Sequence, residues 1–329
     1  MHMKKDLLKE IKISEIKEFR VGHAQDKEHA TGCTAILCEK GAWAGVDVRG
    51  GSPASRETEL LRPENTVQRI HCVMLSGGSA FGLEAGDGAM QFLEERGIGF
   101  DVGIGRVPIV CGASLFDLEL GSFHHRPDKQ MGYKACENAY RFPEPAEGNV
   151  GAGTGATVGK FHNTADMMKC GLGIYAAQIG EIQCAAIVAV NALGDVIDCD
   201  TGQILAGLLN EDHTGFADTR RCMYEEIQQK RDLWSGNTTI GCIITNAKLD
   251  KCQCAKAASI AHNGFALSIR PAHSTADGDT IFVMASGQAE TSPDAFCAMA
   301  TQVMARAVCR AALTAAPAYG LKAASDFQK

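Results

Sequence analysis

The sequence predicts a mixed α and β fold on three observations. Short apolar runs of strand length recur along the 329 residues, helix-like stretches with recognisable caps lie between them, and glycine reaches 36 of 329. Interspersed strands and helices set the class. The glycine content, about 11% against a usual value of about 7%, asks for many tight turns or close backbone contacts.

The chain opens with Leu7, Leu8, Ile11, Ile13 and Ile16 among lysines and glutamates, a pattern that fits a short helix followed by a strand. Residues 34–48 alternate short apolar runs with Gly41 and Gly45. This predicts a hairpin turning near residues 39–41 and ending in the loop Asp47-Val48-Arg49-Gly50-Gly51-Ser52-Pro53. Residues 71–75 form a buried strand by pattern. Ser76-Gly77-Gly78-Ser79 then opens a helix that runs toward Arg96 and stops at Gly97. Its face of Ala80, Gly82, Ala85, Gly86, Gly88 and Ala89 lowers helix propensity and makes sense where another backbone packs close. Val107-Pro108-Ile109-Val110 follows, then a polar stretch over 122–148 and the glycine-rich run 151–160. Two strand-like runs, 173–179 and 185–190, lead into the turn Asn191-Ala192-Leu193-Gly194-Asp195. Residues 210–233 fit an exposed helix and linker, and a strand begins after Asn237. Ser292-Pro293-Asp294 starts a long Ala/Met/Val-rich helix that ends before Pro317.

Apolar residues at 45% and charged residues at 22% exclude a disordered or fibrous chain. The net charge of −7, with a pI near 5.8, argues against nucleic acid as a partner. Residues 1–19 carry lysine and glutamate throughout, with none of the apolar stretch of a secretory signal. The 14 cysteines are scattered, so reduced thiols and a cytoplasmic location are expected. The longest apolar runs, such as residues 184–190, fall far short of the roughly 20 residues that span a bilayer, and no membrane partner is expected.

Four short motifs fail on inspection. Gly155-Ala-Thr-Val-Gly159-Lys160 is one residue short of a phosphate-binding loop, and Phe161 stands where a Ser or Thr would hold magnesium. Gly171-Leu-Gly173-Ile-Tyr-Ala176 matches a dinucleotide fingerprint by letters but lacks a convincing preceding strand. In Gly77-Gly78-Ser79-Ala80-Phe81, phenylalanine replaces the second glycine of a nucleophile elbow. Cys252 and Cys254, with His262 and His273 nearby, lack zinc-site spacing and a second cysteine pair.

The informative segment is Leu233-Trp234-Ser235-Gly236-Asn237-Thr238-Thr239-Ile240-Gly241, in which a Gly-Asn pair runs directly into a hydroxyl residue at the head of a strand. That arrangement suits cleavage of the peptide bond before the hydroxyl. Attack by Thr238 Oγ on the Asn237 carbonyl, then hydrolysis of the ester, would expose an α-amine with a reference pKa of about 7.7–8.0, suited to act as base for its own hydroxyl. Taken alone, the segment reads as a loop entering a strand.

With its surroundings, the sequence resembles the DmpA-like self-processing aminopeptidases and amidases, a family that includes the β-peptidyl aminopeptidases and the endo-type nylon-oligomer hydrolase. Eight ordered blocks carry the resemblance over nearly the whole chain. They are Asp47-Val-Arg-Gly-Gly-Ser-Pro53, Arg56-Glu-Thr58, Ser76-Gly-Gly-Ser-Ala-Phe-Gly-Leu83, Val107-Pro-Ile-Val110, Gly151 to Lys160, Ala189-Val-Asn191-Ala-x-Gly194, Asn237-Thr-Thr-Ile-Gly241 and Asp277-Gly-Asp279-Thr280.

The resemblance implies a single domain over 1–329, built as a four-layer αββα sandwich and cleaved into 1–237 and 238–329. It implies Thr238 as nucleophile, Asn191 at the oxyanion site, and Lys160, Asp277 and Asp279 tuning protonation. No metal or organic cofactor is called for. The expected partners are a small peptide or amide substrate, the two cleaved pieces for each other, and further copies in a homo-oligomer, a tetramer by family habit. On residues alone Lys160 reads as a solvated lysine, while Asn191 is equally part of its turn and Asp277-Gly278-Asp279 a turn between strands. Two departures bear on specificity. The DmpA-like branch has Ser-x-Glu where this chain has Asp277-Gly278-Asp279. It also has a Pro-Val-Val-x-Glu-Thr stretch whose glutamate holds the substrate's free amine, while this chain has Pro108-Ile-Val-Cys-Gly-Ala113. The nylon-hydrolase side therefore fits better. Phe116 stands where some relatives have tyrosine and is given no catalytic role. Rival expectations are an N-acyltransferase of the ornithine acetyltransferase type, which shares a related fold and also self-cleaves before threonine, and an unprocessed, inactive scaffold.

Overall fold

The computed structural model describes residues 7–227 and 236–327. Ten strands join in one hydrogen-bonded sheet: β1 (Lys9–Glu10), β2 (Arg20–Asp26), β3 (Thr31–Val48), β4 (Ser55–Arg56), β5 (Arg69–Ser76), β6 (Val110–Ser114), β7 (Leu172–Ile179), β8 (Ile182–Asn191), β9 (Thr238–Ala247) and β10 (Thr280–Ala289). The order across it is β1-β7-β8-β9-β10-β3-β5-β6-β4, with β2 paired to β3. Among the described residues five α-helices accompany it: α1 (Ala85–Glu94), α2 (Lys129–Arg141), α3 (Thr219–Glu226), α4 (Lys251–Ser268) and α5 (Pro293–Leu313). Two pairs are parallel, β5 with β6 and β9 with β10. Each needs a crossover, supplied by α1 and α4.

Strand alternation divides the sheet into two stacked halves. Ala177, Ala186, Val188, Ile243 and Val283 point toward α4 and α5. Their neighbours Ala176, Ala185, Ile187, Ile244, Phe282 and Met284 point the other way, onto Ile36, Val73, Leu75 and Ala113 of the second half. The far side of that half, with Ala35, Leu37, Cys72 and Met74, packs on Ala89, Phe92, Ala135 and Ala139 of α1 and α2. Three apolar cores between four layers make the αββα sandwich.

The predicted hairpin at 39–41 is instead one 18-residue strand, β3. Its register against β5 shifts between Leu37 and Ala42, and Gly41 takes φ +73° at that irregularity. The chain does not turn back because the two ends of β3 have different partners. Residues 31–37 pair with β2, and residues 43–48 pair with β10, so β3 joins the two halves of the sheet. The expected opening helix is a single 3-10 turn, Ile13–Glu15, between β1 and β2. Two helices carried no sequence expectation: α2 lies in the polar 122–148 stretch, and α4 carries Cys252 and Cys254. The small-residue face of α1 meets α2 as expected. A Cβ on Gly88 would stand 2.0 Å from the Lys129 carbonyl oxygen, and one on Gly132 would stand 1.9 Å from that of Ala85. Gly97, at φ +67°, follows the end of α1. Among the described residues no helix is long and apolar enough to cross a membrane.

Candidate active site

The site lies where the register of the sheet brings distant segments level. Thr238 opens β9 and pairs with Asn191, the last residue of β8, while Ile240 pairs with Thr280 at the head of β10. The loop carrying Asp277 and Asp279 therefore reaches the head of β9. Gly159 and Lys160 donate backbone hydrogen bonds to the Gly194 and Leu193 carbonyls, which brings the end of the glycine-rich run to the same place. Thr238, Asn237, Asn191, Lys160, Asp277 and Asp279 are all buried. Leu233, Trp234 and Ser235 of the sequence motif lie outside the described residues.

The Thr238 hydroxyl donates in a very short contact to the carbonyl oxygen of Asn237, the residue before it. The Gly278 N–H donates to Thr238 Oγ1 at 3.1 Å. Hydroxyl and carbonyl are thus adjacent, with one lone pair of Thr238 Oγ1 taken by a backbone amide.

Asn191 is held at both ends of its side chain. Its Oδ1 accepts from Lys160 Nζ at 2.6 Å and from the Thr157 N–H at 3.1 Å, and its Nδ2 donates to the Phe116 carbonyl at 2.8 Å. The donors on Oδ1 fix which way the amide faces. Lys160 also donates to the Gly236 carbonyl at 3.3 Å. Burial pulls the Lys160 ammonium down to about 8, opposed by the negative charges of Glu119, Asp117 and Asp277.

The two aspartates do different things. Asp279 accepts from the Thr239 N–H at 2.7 Å through Oδ1, and through Oδ2 from the His273 N–H at 3.0 Å with the His273 ring Nδ1 at 2.8 Å. It anchors the second residue of β9 to the loop before β10. Asp277 accepts from the Ser274 N–H at 2.7 Å through Oδ2, and its buried Oδ1 has no hydrogen-bond partner among the described residues. Burial, reinforced by the charge of Asp279, pushes Asp277 up to about 6.

All five residues expected at the site converge on it. Sequence reasoning missed the Gly278 N–H, the Phe116 carbonyl and the Thr157 N–H, because backbone groups leave no residue-type signature. Phe116, without an expected role, supplies that carbonyl, and its ring packs so closely on Gly236 that a Cβ there would come within 2.4 Å. Asp117 was also missed. Of the cysteine and histidine candidates, Cys252 is exposed, while His262 is buried with Nε2 at 3.0 Å from the Asp47 carbonyl and its ring lies edge-on to that of His273 at 4.8 Å. Among the described residues no group of three or more His, Cys, Asp or Glu is placed to hold a metal ion.

A buried threonine hydroxyl heading a central strand of an αββα stack, with an oriented side-chain amide in register with it, fits a hydrolase of peptide or amide bonds. Known proteins agree. The pattern of peptidase family S58 matches residues 12–325. An uncharacterized aminopeptidase of Mycobacterium leprae is 40% identical over 303 residues, spanning 86% of this chain and 80% of that protein. A 6-aminohexanoate-oligomer endohydrolase of Kocuria sp. is 30% identical over 310 residues, spanning 89% and 83%. Among solved structures, the L-aminopeptidase D-Ala-esterase/amidase of Ochrobactrum anthropi, described as a variant of the Ntn-hydrolase fold, matches with a TM-score of 0.67 at 17% identity, over 92% of this chain and 86% of that one. A Burkholderia β-aminopeptidase matches with a TM-score of 0.64 at 19% identity, over 95% and 90%. The chain belongs to peptidase family S58, and it is an enzyme that hydrolyses peptide or amide bonds.

Proposed function

We propose that this enzyme is a self-processing N-terminal-threonine amidohydrolase that cleaves its own chain between Asn237 and Thr238, giving pieces of 237 and 92 residues. The observation that carries this reading is the Thr238 hydroxyl lying against the Asn237 carbonyl while Gly278 N–H orients its oxygen. Oγ attacks the carbonyl carbon, the Asn237–Thr238 C–N bond breaks as the amine takes a proton, and water hydrolyses the resulting ester. The same hydroxyl, now beside its own free α-amine, attacks the carbonyl carbon of an external amide, the substrate C–N bond breaks as the departing amine takes the hydroxyl proton, and water hydrolyses the acyl-enzyme to the free acid. One N–H of Asn191 Nδ2 is spent on Phe116, and the other is available to the oxyanion. The Lys160 ammonium holds Asn191 in that orientation. Asp277, with one unpartnered oxygen and an elevated pKa, is suited to proton transfer, and Asp279 fixes the start of β9.

Sheet order supports two pieces that stay together, since β9 and β10 of the small piece lie between β8 and β3 of the large one. Assembly into a homo-oligomer follows the family habit. Fourteen free thiols support a reducing, cytoplasmic setting. Gly112 and Ala113 stand where the DmpA-like branch has its amine-binding glutamate and the threonine after it. This favours internal amide bonds, as in the 6-aminohexanoate-oligomer endohydrolases, over substrates anchored by a free amine.

The test is the intact mass of freshly purified protein under denaturing conditions, beside Thr238→Ala. Two pieces meeting at Asn237/Thr238 are expected from the wild type and one chain from the variant. A wild-type chain still uncut after prolonged incubation would overturn the proposal.

A further inference from the structure

Beside the site lies a buried carboxylate with no part in the steps above. Asp117 follows Phe116 directly. Its Oδ1 accepts from the Gly78 N–H at 2.7 Å and its Oδ2 from the Thr31 hydroxyl at 2.8 Å. Both donors lie outside the catalytic groups, in the loop after β5 and at the head of β3. The fixing of Asp117 therefore fixes the Phe116 peptide, whose carbonyl takes the Asn191 amide. A Cβ on Gly155 would come within 2.7 Å of Asp117 Cβ, so the carboxylate also packs on the glycine-rich run that ends in Lys160.

We infer that Asp117 is a positioning residue of this active site, locking the Phe116 carbonyl that orients Asn191 and supplying a buried negative charge to Lys160. The inference rests on the proposed function and deepens it. The charges acting on Lys160 are those of Asp117 and Glu119 from the segment after β6, Asp277 from the loop before β10, and the neighbouring Lys169. Those interacting with Asp117 are Lys160, Lys169 and Tyr319. Burial holds Asp117 at about 6, so it is charged at neutral pH and above.

Asp117→Asn keeps the shape, because the amide oxygen still accepts from Gly78 while the amide nitrogen faces the Thr31 oxygen, but it removes the charge. The pH profiles of self-cleavage and of amide hydrolysis in this variant are expected to lose rate on the alkaline side about one pH unit earlier than in the wild type, the effect of removing one buried negative charge that acts on Lys160. Asp117→Ala also frees the Phe116 peptide, and its rate should fall more than tenfold at every pH. The Lys160 titration itself, followed by carbon NMR of labelled lysine with Lys160→Arg for assignment, should move by the same unit in Asp117→Asn. A merely structural Asp117 would lower the unfolding midpoint and leave the alkaline limb and the titration in place, and that result overturns the inference. Should Asp117→Asn not fold, Thr31→Val, which frees one carboxylate oxygen of Asp117 and leaves its charge in place, must slow self-cleavage at every pH with the alkaline limb where it is in the wild type, and an unchanged rate is again fatal. If the wild type neither self-cleaves nor hydrolyses amides, the proposed function fails and the NMR titration alone decides Asp117.

Discussion

Replacing Lys160 by methionine separates the chemistry of the site from its stability. The substitution removes a charge-assisted hydrogen bond of 2.6 Å to Asn191 and a weaker one of 3.3 Å to the Gly236 carbonyl. Hydrogen bonds to charged groups contribute about 1.5–3 kcal/mol. Lost from the transition state alone, that slows the reaction roughly 10- to 100-fold. Stability should move little or rise. Lys160 is buried, its ammonium is destabilised by burial to a pKa of about 8, and Asn191 Oδ1 keeps its 3.1 Å bond from Thr157. Methionine fills similar volume without a charge to desolvate. The assay uses precursor made by cell-free synthesis, sampled over time at pH 7 and scored for the large and small pieces, with thermal unfolding of the uncut chain in parallel. Slow cleavage with an undiminished midpoint is expected. Cleavage at the wild-type rate would remove Lys160 from the chemistry, and slow cleavage with a midpoint lowered by several degrees would make it a structural lysine.

Gly88→Ala should destabilise the chain by about 1–3 kcal/mol even though alanine is the better helix former, because the new Cβ meets backbone of α2 at 2.0 Å. A urea unfolding curve checks this, and unchanged or raised stability would refute the packing account. Lys169, buried with its ammonium on the Gly153, Ala156 and Cys170 carbonyls, has its pKa drawn down to about 7 by burial. The folded chain gives up this proton above about pH 7, whereas an unfolded lysine keeps it to about 10.4, so stability rises with pH in that window. Between pH 7 and 8.5 the wild type should gain about 1.5 kcal/mol relative to Lys169→Met, and equal slopes in denaturant titrations would contradict the assignment.

The parts of this enzyme legible in sequence were those with a local cause. Glycine and capping residues placed the end of α1 and the start of α5, while the helix expected to open at Ser76–Ser79 begins as a 3-10 stretch over Ser79–Glu84; apolar runs placed β5, β7, β8 and β9. The hairpin expected near Gly41 failed for a non-local reason. A glycine at positive φ serves a turn or a bulge equally well, and the choice was made by β10 and β2 pairing with opposite ends of β3. Helix α2 escaped notice because its inward face is Gly132, Ala135, Cys136 and Ala139, small residues that leave little apolar periodicity. At the site, the side chains were found through family resemblance. Lys160 illustrates the limit, since on residues alone it reads as a solvated lysine, and its burial follows only from where Leu193 and Gly194 hold the end of the glycine-rich run.

One geometric demand runs through the proposed chemistry. Self-cleavage needs the Asn237 carbonyl against Thr238 Oγ, and amide hydrolysis needs a substrate carbonyl in the same place, so the groups serving one reaction are already set for the other. This accounts for the division of labour around Thr238. The groups that must not move are held by backbone: Gly278 N–H on the nucleophile, the Phe116 carbonyl on Asn191, and the Thr239 N–H on Asp279. The group proposed to move a proton, Asp277, and the ammonium that orients Asn191, Lys160, are both brought toward neutrality by burial, to about 6 and about 8. Departure of the segment before Thr238 would free Lys160 from the Gly236 carbonyl and the Phe116 ring from its contact with Gly236. On the proposed mechanism, the space that holds the chain's own acyl group before cleavage is the space that admits the substrate's afterwards.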